Sequence, residues 1–137
     1  MKNLFLLRHA KSSWDNAALG DFDRPLSKRG ISNAIQLSEY IQKHSISFDL
    51  VLSSPSERTQ STLDLVLNPF DPIPTTSLKE SIYHASPSNL SQLIKELDDE
   101  IKNLLIIGHN PGLHILTETL TNESIVKFPT CALAKIT

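Results

Sequence analysis

The chain predicts an α/β fold over residues 1–137, a three-layer α/β/α sandwich whose central sheet is mostly parallel, in a single domain. Three observations carry this. Short apolar runs alternate with stretches of helical amphipathic period, the runs are apolar throughout rather than every second residue, and polar helix-starting residues follow them. Strands apolar at every position are buried on both faces, as a parallel sheet covered by two helix layers requires. A length of 137 residues with 39% apolar and 20% charged residues suits one such domain and leaves little room for another.

The first strand is expected over Asn3 to Leu7, with Arg8 and His9 at its C-terminal end. Ser27 reads as the N-cap of a helix that keeps Ile31, Ala34, Ile35 and Ile41 on one face. Asp49 to Leu52 forms a second strand, after which Ser54 is placed to cap a helix and Pro55 to occupy its first position. Arg58 then falls in the first turn, and Thr59, Leu63, Val66 and Leu67 anchor the helix below it. Pro69, Pro72 and Pro74 break regular structure into a loop. A helix capped by Ser86 buries Leu90, Leu93, Ile94 and Leu97. Leu104 to Ile107 is a third buried strand; it ends in Gly108-His109-Asn110-Pro111-Gly112, where a short helix carrying Leu113, Leu116 and Leu120 begins. Ala132 to Ile136 is a last strand.

Composition excludes several classes of function. A net charge of −2 with Lys and Arg scattered along the chain argues against a nucleic-acid partner, which needs a basic excess to neutralise phosphates. The lone Cys131 forms no internal disulfide and is expected as core filler; no Cys/His spacing suggests a zinc site. The apolar run Leu4 to Leu7 is far shorter than the roughly 7–15 residues of a signal-peptide core. No stretch approaches the roughly 20 apolar residues that span a bilayer. A cytoplasmic protein without membrane or cofactor is expected.

Three strand-to-helix junctions therefore present Arg8-His9, Arg58 and His109, and open α/β sheets bind ligands beyond the carboxyl ends of their strands. Two arginines and two histidines there make a cationic pocket suited to a tetrahedral dianion, held by charge-assisted and often bidentate hydrogen bonds. Helix starts at Pro55 and Pro111 would add free N–H groups to it. Neither a G-x-G-x-x-G nor a P-loop pattern is present, which sets a nucleotide-binding domain aside. Gly30 reads as a helix-packing position, His44 and His114 as exposed or structural, and Trp14 either as part of the phosphate loop or as a cover for the core.

Leu7-Arg8-His9-Ala10 resembles the signature of the histidine phosphatase superfamily, Arg-His-Gly or Arg-His-Ala directly after the first strand. The resemblance continues through Asp23-Arg24-Pro25-Leu26-Ser27-Lys28-Arg29-Gly30, Ser53-Ser54-Pro55 with Arg58 and Thr62, Leu78-Lys79-Glu80, and Ile107-Gly108-His109-Asn110-Pro111. Arg8 to Trp14 is most similar to the small phosphohistidine phosphatase, SixA-type, branch. The resemblance implies a phosphoglycerate mutase-like fold and no metal or cofactor, with His9 as nucleophile and Arg8, Arg58 and His109 as ligands of the phosphoryl oxygens. Glu80 aligns with the position that supplies the general acid, with His84 in reserve. Neutral imidazole attacks phosphorus without a separate base, and arginines stabilise the charge on three equatorial oxygens.

The expected substrate is a phosphohistidine on another protein, because only a short segment lies between Leu67 and Leu90 and no large lid can close. The rivals are a phosphatase of small phosphoesters or sugar phosphates and, in another class, a non-catalytic phosphate-binding module, for which a nucleophile has no use. A monomer is expected. The family commonly runs on past the strand matched by Ala132 to Ile136, so an unpaired sheet edge, a template for association, is expected there.

Overall fold

The computed structural model describes residues 1–137. Five strands, β1 (Asn3–Arg8), β2 (Leu50–Ser53), β3 (Thr76–Leu78), β4 (Asn103–Gly108) and β5 (Leu133–Ile136), form one sheet in the order β3-β2-β4-β1-β5. All neighbours are parallel except β5, which pairs antiparallel with β1. Four helices cover it: α1 (Lys28–Lys43), α2 (Glu57–Leu67), α3 (Pro87–Lys95) and α4 (Gly112–Thr121).

The unbroken apolar runs are explained by the two cores they serve. Phe5, Leu7, Val51, Leu105 and Ile107 face a cluster completed by Ala34 and Ile41 of α1 and Val66 and Leu67 of α2. The intervening Leu4, Leu6, Leu52, Leu104 and Ile106 face the opposite cluster, with Leu90 of α3 and Leu113 and Leu116 of α4. Side chains alternate across a strand, so burial on both sides demands apolar residues at every position.

Several local expectations need correction. The buried face of α1 is Gly30, Ala34, Ser38 and Ile41, a stripe at i, i+4, i+8 and i+11, while Ile31 and Ile35 lie one helical step aside and are exposed. Ser27 is the N-cap, accepting a hydrogen bond from the Gly30 N–H at 3.0 Å. The cap of α2 is Ser56 rather than Ser54, so Pro55 precedes the helix, and Pro111 is itself the N-cap of α4. Leu120 is exposed. The Pro-rich loop contains the short edge strand β3, whose three residues were too few and too polar to register as a strand. β5 forms the other edge, paired on one side only.

Gly30 packs α1 against the loop after β1: a Cβ there would overlap the Lys11 carbonyl oxygen. This contact fixes the loop that carries Lys11 to Trp14 over the sheet end, where the candidate site lies.

Candidate active site

Ladder register brings the two histidines together. Arg8 of β1 pairs with Gly108 of β4, so the next residues, His9 and His109, emerge side by side with ring centroids 5.3 Å apart. Ser53 of β2 pairs with Ile107, which places Ser54 beside this pair; the Ser54 hydroxyl lies 2.8 Å from Nε2 of His109. Thr62, one turn beyond Arg58 on α2, accepts from the Ala10 N–H at 3.0 Å and donates to the Arg58 carbonyl at 2.7 Å, tying α2 to the residue after His9.

The His9 ring is 6% exposed and its Nδ1–H donates to the Ala10 carbonyl at 2.7 Å. That bond fixes the proton on Nδ1 and leaves the lone pair of Nε2 unshared. Burial, followed by the Arg58, Arg8 and Arg24 charges, pushes its pKa down to about 4, so the ring is neutral at pH 7. His109 is pushed down to about 3, by burial first and then by His9, Arg58 and His84. Its Nδ1 accepts from Arg58 at 3.4 Å, a long contact, which assigns the Nε2–H to Ser54. Because a hydroxyl both donates and accepts, Ser54 serves either tautomer of His109.

These groups line an open cleft of about 730 Å³. Five of the 13 Lys and Arg residues (Arg8, Lys11, Arg24, Arg58, Lys127) and four of the five His (His9, His84, His109, His114) line it, and no Asp or Glu does. The cleft is therefore locally basic although the chain as a whole carries a net charge of −2. The Nε–H groups of Arg8, Arg24 and Arg58 are buried without a hydrogen-bond partner. The three guanidinium groups and the two histidines give the cleft a cationic floor that suits an anion.

Two participants were not singled out from sequence. Arg24 is 7% exposed, donates to the Ser12 hydroxyl and to Oδ1 of Asp21 at 3.1 Å, and lies 3.6 Å beneath the ring of Trp14. Asp21 holds Arg58 through its carbonyl at 2.6 Å and through Oδ2 at 2.9 Å, and accepts from Tyr83 at 2.6 Å. The Tyr83 bond, then Arg58 and Arg24, hold the Asp21 carboxyl far below the usual range, overcoming the opposing effect of burial. A lone loop arginine or aspartate is usually solvated, so the only signal available was Arg24's place in Asp23-Arg24-Pro25.

Trp14 is 75% exposed and lines the cleft over Arg24 instead of covering the core. Glu80 opens a 3-10 turn (Glu80–Ile82), is exposed, and is not among the residues lining the cleft, whereas His84 is. His114 donates from Nε2 to the Ile125 carbonyl at 3.0 Å, a structural bond, although its ring also reaches the cleft wall. Cys131 packs against the core, and burial raises its pKa to about 11, far from a reactive thiolate.

The model of the histidine phosphatase superfamily (branch 1) matches residues 4–86, which include Arg8, His9, Arg24 and Arg58. A chloroplast protein of Arabidopsis thaliana, without a stated function, is 32% identical over 144 aligned positions; the match takes in 95% of this chain and 63% of that relative's length. The fold is shared with a candidate phosphohistidine phosphatase SixA from Agrobacterium tumefaciens, at TM-score 0.91 and 28% identity, covering 98% of this chain and 90% of the other. The protein histidine phosphatase SixA solved with tungstate superposes at TM-score 0.87 over 98% of this chain and 87% of its own, at 24% identity. The chain belongs to the histidine phosphatase superfamily. Its sheet and helix layers are the phosphoglycerate mutase-like fold in its small, SixA-type form.

Proposed function

We propose that this chain is a phosphatase that takes a phosphoryl group onto Nε2 of His9 and passes it to water, acting on phosphohistidine in another protein and using no metal. The observation that carries the reading is the unshared lone pair on a neutral His9, set beside His109 in a cleft lined by Arg8 and Arg58. In the first step Nε2 bonds to phosphorus as the bond from phosphorus to the donor breaks, and the leaving group departs with a proton. In the second, water attacks phospho-His9, the P–Nε2 bond breaks, and inorganic phosphate leaves.

Arg8 and Arg58 bind the equatorial oxygens, where charge stabilisation contributes most to phosphoryl transfer. His109 joins them by donating from Nδ1, which Ser54 permits by turning from acceptor to donor at Nε2. The basic side chains supply the charge a metal would otherwise bring. No group of three or more His, Cys, Asp or Glu is placed to hold a metal ion. A leaving imidazole departs readily once protonated, so the open cleft and the absence of a carboxylic acid from its lining suit a phosphohistidine donor.

Between α2 and α3 lie only β3 and the 3-10 turn, too little to enclose a small substrate, which favours a phosphoprotein over small phosphoesters. We take the protein to act as a monomer in a cytoplasmic setting, where the single half-buried thiol of Cys131 stays reduced. No helix is long and apolar enough to cross a membrane.

The decisive test traps the intermediate. Labelled phosphohistidine protein, mixed with enzyme in excess EDTA and quenched in alkali, leaves label on the wild type and none on His9→Ala, and vanadate blocks the labelling. Near-normal turnover by His9→Ala, or loss of activity on chelation that a divalent ion restores, overturns the reading.

A further inference from the structure

Arg24 is a buried cation to which the proposed phosphoryl transfer assigns no oxygen of the transferring group, although its charge helps keep His9 neutral. The transferring group is a dianion, matched by Arg8 and Arg58. The cleft also holds Arg24, Lys11 and Lys127. Of these five cations only Arg58 and Arg24 are ion-paired, both to Asp21, which they hold by its two separate oxygens at 2.9 and 3.1 Å. The dianion and Asp21 together leave two cations uncompensated.

Arg24 is also incompletely satisfied. Its terminal nitrogens reach Ser12 and Asp21, but its Nε–H is buried without a partner, and its side chain is only 8% exposed. The flat guanidinium, stacked on Trp14 at 3.6 Å and held by Ser12 and Asp21, lines the cleft in a fixed orientation. A fixed planar cation at the wall of an open cleft suits a carboxylate. Lys11, three residues before Trp14 and exposed on the same cleft, adds a second charge to that side.

We infer that Arg24, with Lys11 beside it and Trp14 above it, forms a second anion subsite next to the phosphoryl floor, and that the subsite takes a carboxylate carried by the substrate close to its phosphoryl group. The inference rests on the reading that the phosphoryl group is transferred at His9. Shared attachment to Asp21 keeps Arg24 one carboxylate's width from Arg58, so one substrate reaches both sites. The carboxylate comes either from an acidic side chain beside a phosphohistidine or from a small phosphorylated acid.

Competitive inhibition separates the two sites. Methylphosphonate occupies only the floor, whereas phosphonoacetate offers a phosphonate and a carboxylate together. Wild type is expected to bind phosphonoacetate at least tenfold more tightly. In Arg24→Gln that ratio falls to about one, and Arg24→Lys, which keeps the charge but loses the planar fork, restores part of it. Lys11→Gln, on the surface, lowers the ratio with no change in melting temperature, which separates the effect from misfolding. Equal affinity for the two phosphonates in wild type, or an equal loss of both in Arg24→Gln, overturns the subsite. If neither phosphonate nor vanadate inhibits and no phosphoryl donor is turned over, the floor reading itself fails. Two substrate pairs then assign the source: phosphohistidine peptides with and without a neighbouring glutamate, and phosphoglycolate against ethyl phosphate. A preference in either pair supports the subsite, and none in both overturns it.

Discussion

Arg8, His9, Ser54 and His109 stand where three adjacent parallel strands end, and their spacing follows from ladder register. Lys11, Trp14, Glu80, His84 and Val126 stand on irregular segments around the same cleft or near it, and three of them are strongly exposed: Trp14 at 75%, Val126 at 96% and the His84 side chain at 65%. The difference is between positions set by backbone hydrogen bonds beneath two cores and positions set by little beyond local turns. Transition-state stabilisation needs the first kind, because donors must be aimed before charge develops. Recognition of a variable partner tolerates the second.

If that division is real, substitutions in the floor cost far more activity than substitutions at the rim. Arg58 tests the floor. It is 4% exposed, is gripped by Asp21 and borders His109. Arg58→Ala is expected to lower kcat/KM by about 10²–10³, the size seen when one preorganised donor to developing charge is removed. Single-turnover transfer to His9 measures this directly. A loss under tenfold places Arg58 outside the reacting centre.

The second test uses the cost of keeping the floor histidines neutral. His9 and His109 are pushed down to about 4 and about 3, whereas an unfolded histidine titrates near 6.5. Between pH 6.5 and about 4 the unfolded chain therefore binds more protons than the folded one. The contribution of these two rings to stability falls as pH falls through that window, with His109 continuing to about pH 3, and is constant above it. Urea midpoints at pH 7 and pH 5 measure the slope, and His9→Ala is expected to flatten it. NMR titration of the ring protons checks the cause; a His9 ring that titrates at 6.5 in the folded protein removes the argument.

The same division explains what the sequence could reveal. The β1, β2 and β4 strands were legible because burial on both faces leaves only apolar residues, and their ends located Arg8, His9 and His109. Arg58 was placed correctly near the start of α2 even though the helix begins at Glu57, because a shift of the cap leaves Arg58 in the first turn. The stripe of α1 was misjudged at Ile31 and Ile35, since Gly30 and Ser38 carry no apolar signal although the contacts with Lys11 and Val66 need them small. Arg24 and Asp21 were not legible as site residues, because their roles arise from contacts across the fold with Ser12, Arg58 and Tyr83. Long-range polar pairing leaves no period in a sequence.

The smallest expected effect belongs to the residue that the family pattern offered as the general acid. Glu80 aligns with the acid position, but its side chain is exposed on the 3-10 turn and outside the cleft lining, while His84 lines the cleft 3.8 Å from Oδ2 of Asp21. An acid must come within hydrogen-bond reach of the leaving atom, directly or through one water. Asp21 cannot take the role, because its three hydrogen bonds keep it ionised. We therefore propose His84, which lines the cleft, as the side chain that gives a proton to a poor leaving group. For an alkyl phosphate, His84→Gln is expected to cost part of the roughly 10²–10⁴-fold that a positioned acid supplies. For phosphohistidine, whose leaving imidazole carries its own proton, the same substitution should change kcat/KM by less than about threefold. Glu80→Gln should leave both reactions within about twofold of wild type. A large loss on the alkyl ester from Glu80→Gln alone would show that the turn swings inward during the reaction, and would move Glu80 from the rim to the reacting centre. Equal losses on both substrates from His84→Gln would remove the leaving-group argument for phosphohistidine and leave the small phosphoesters as the better match to the cleft.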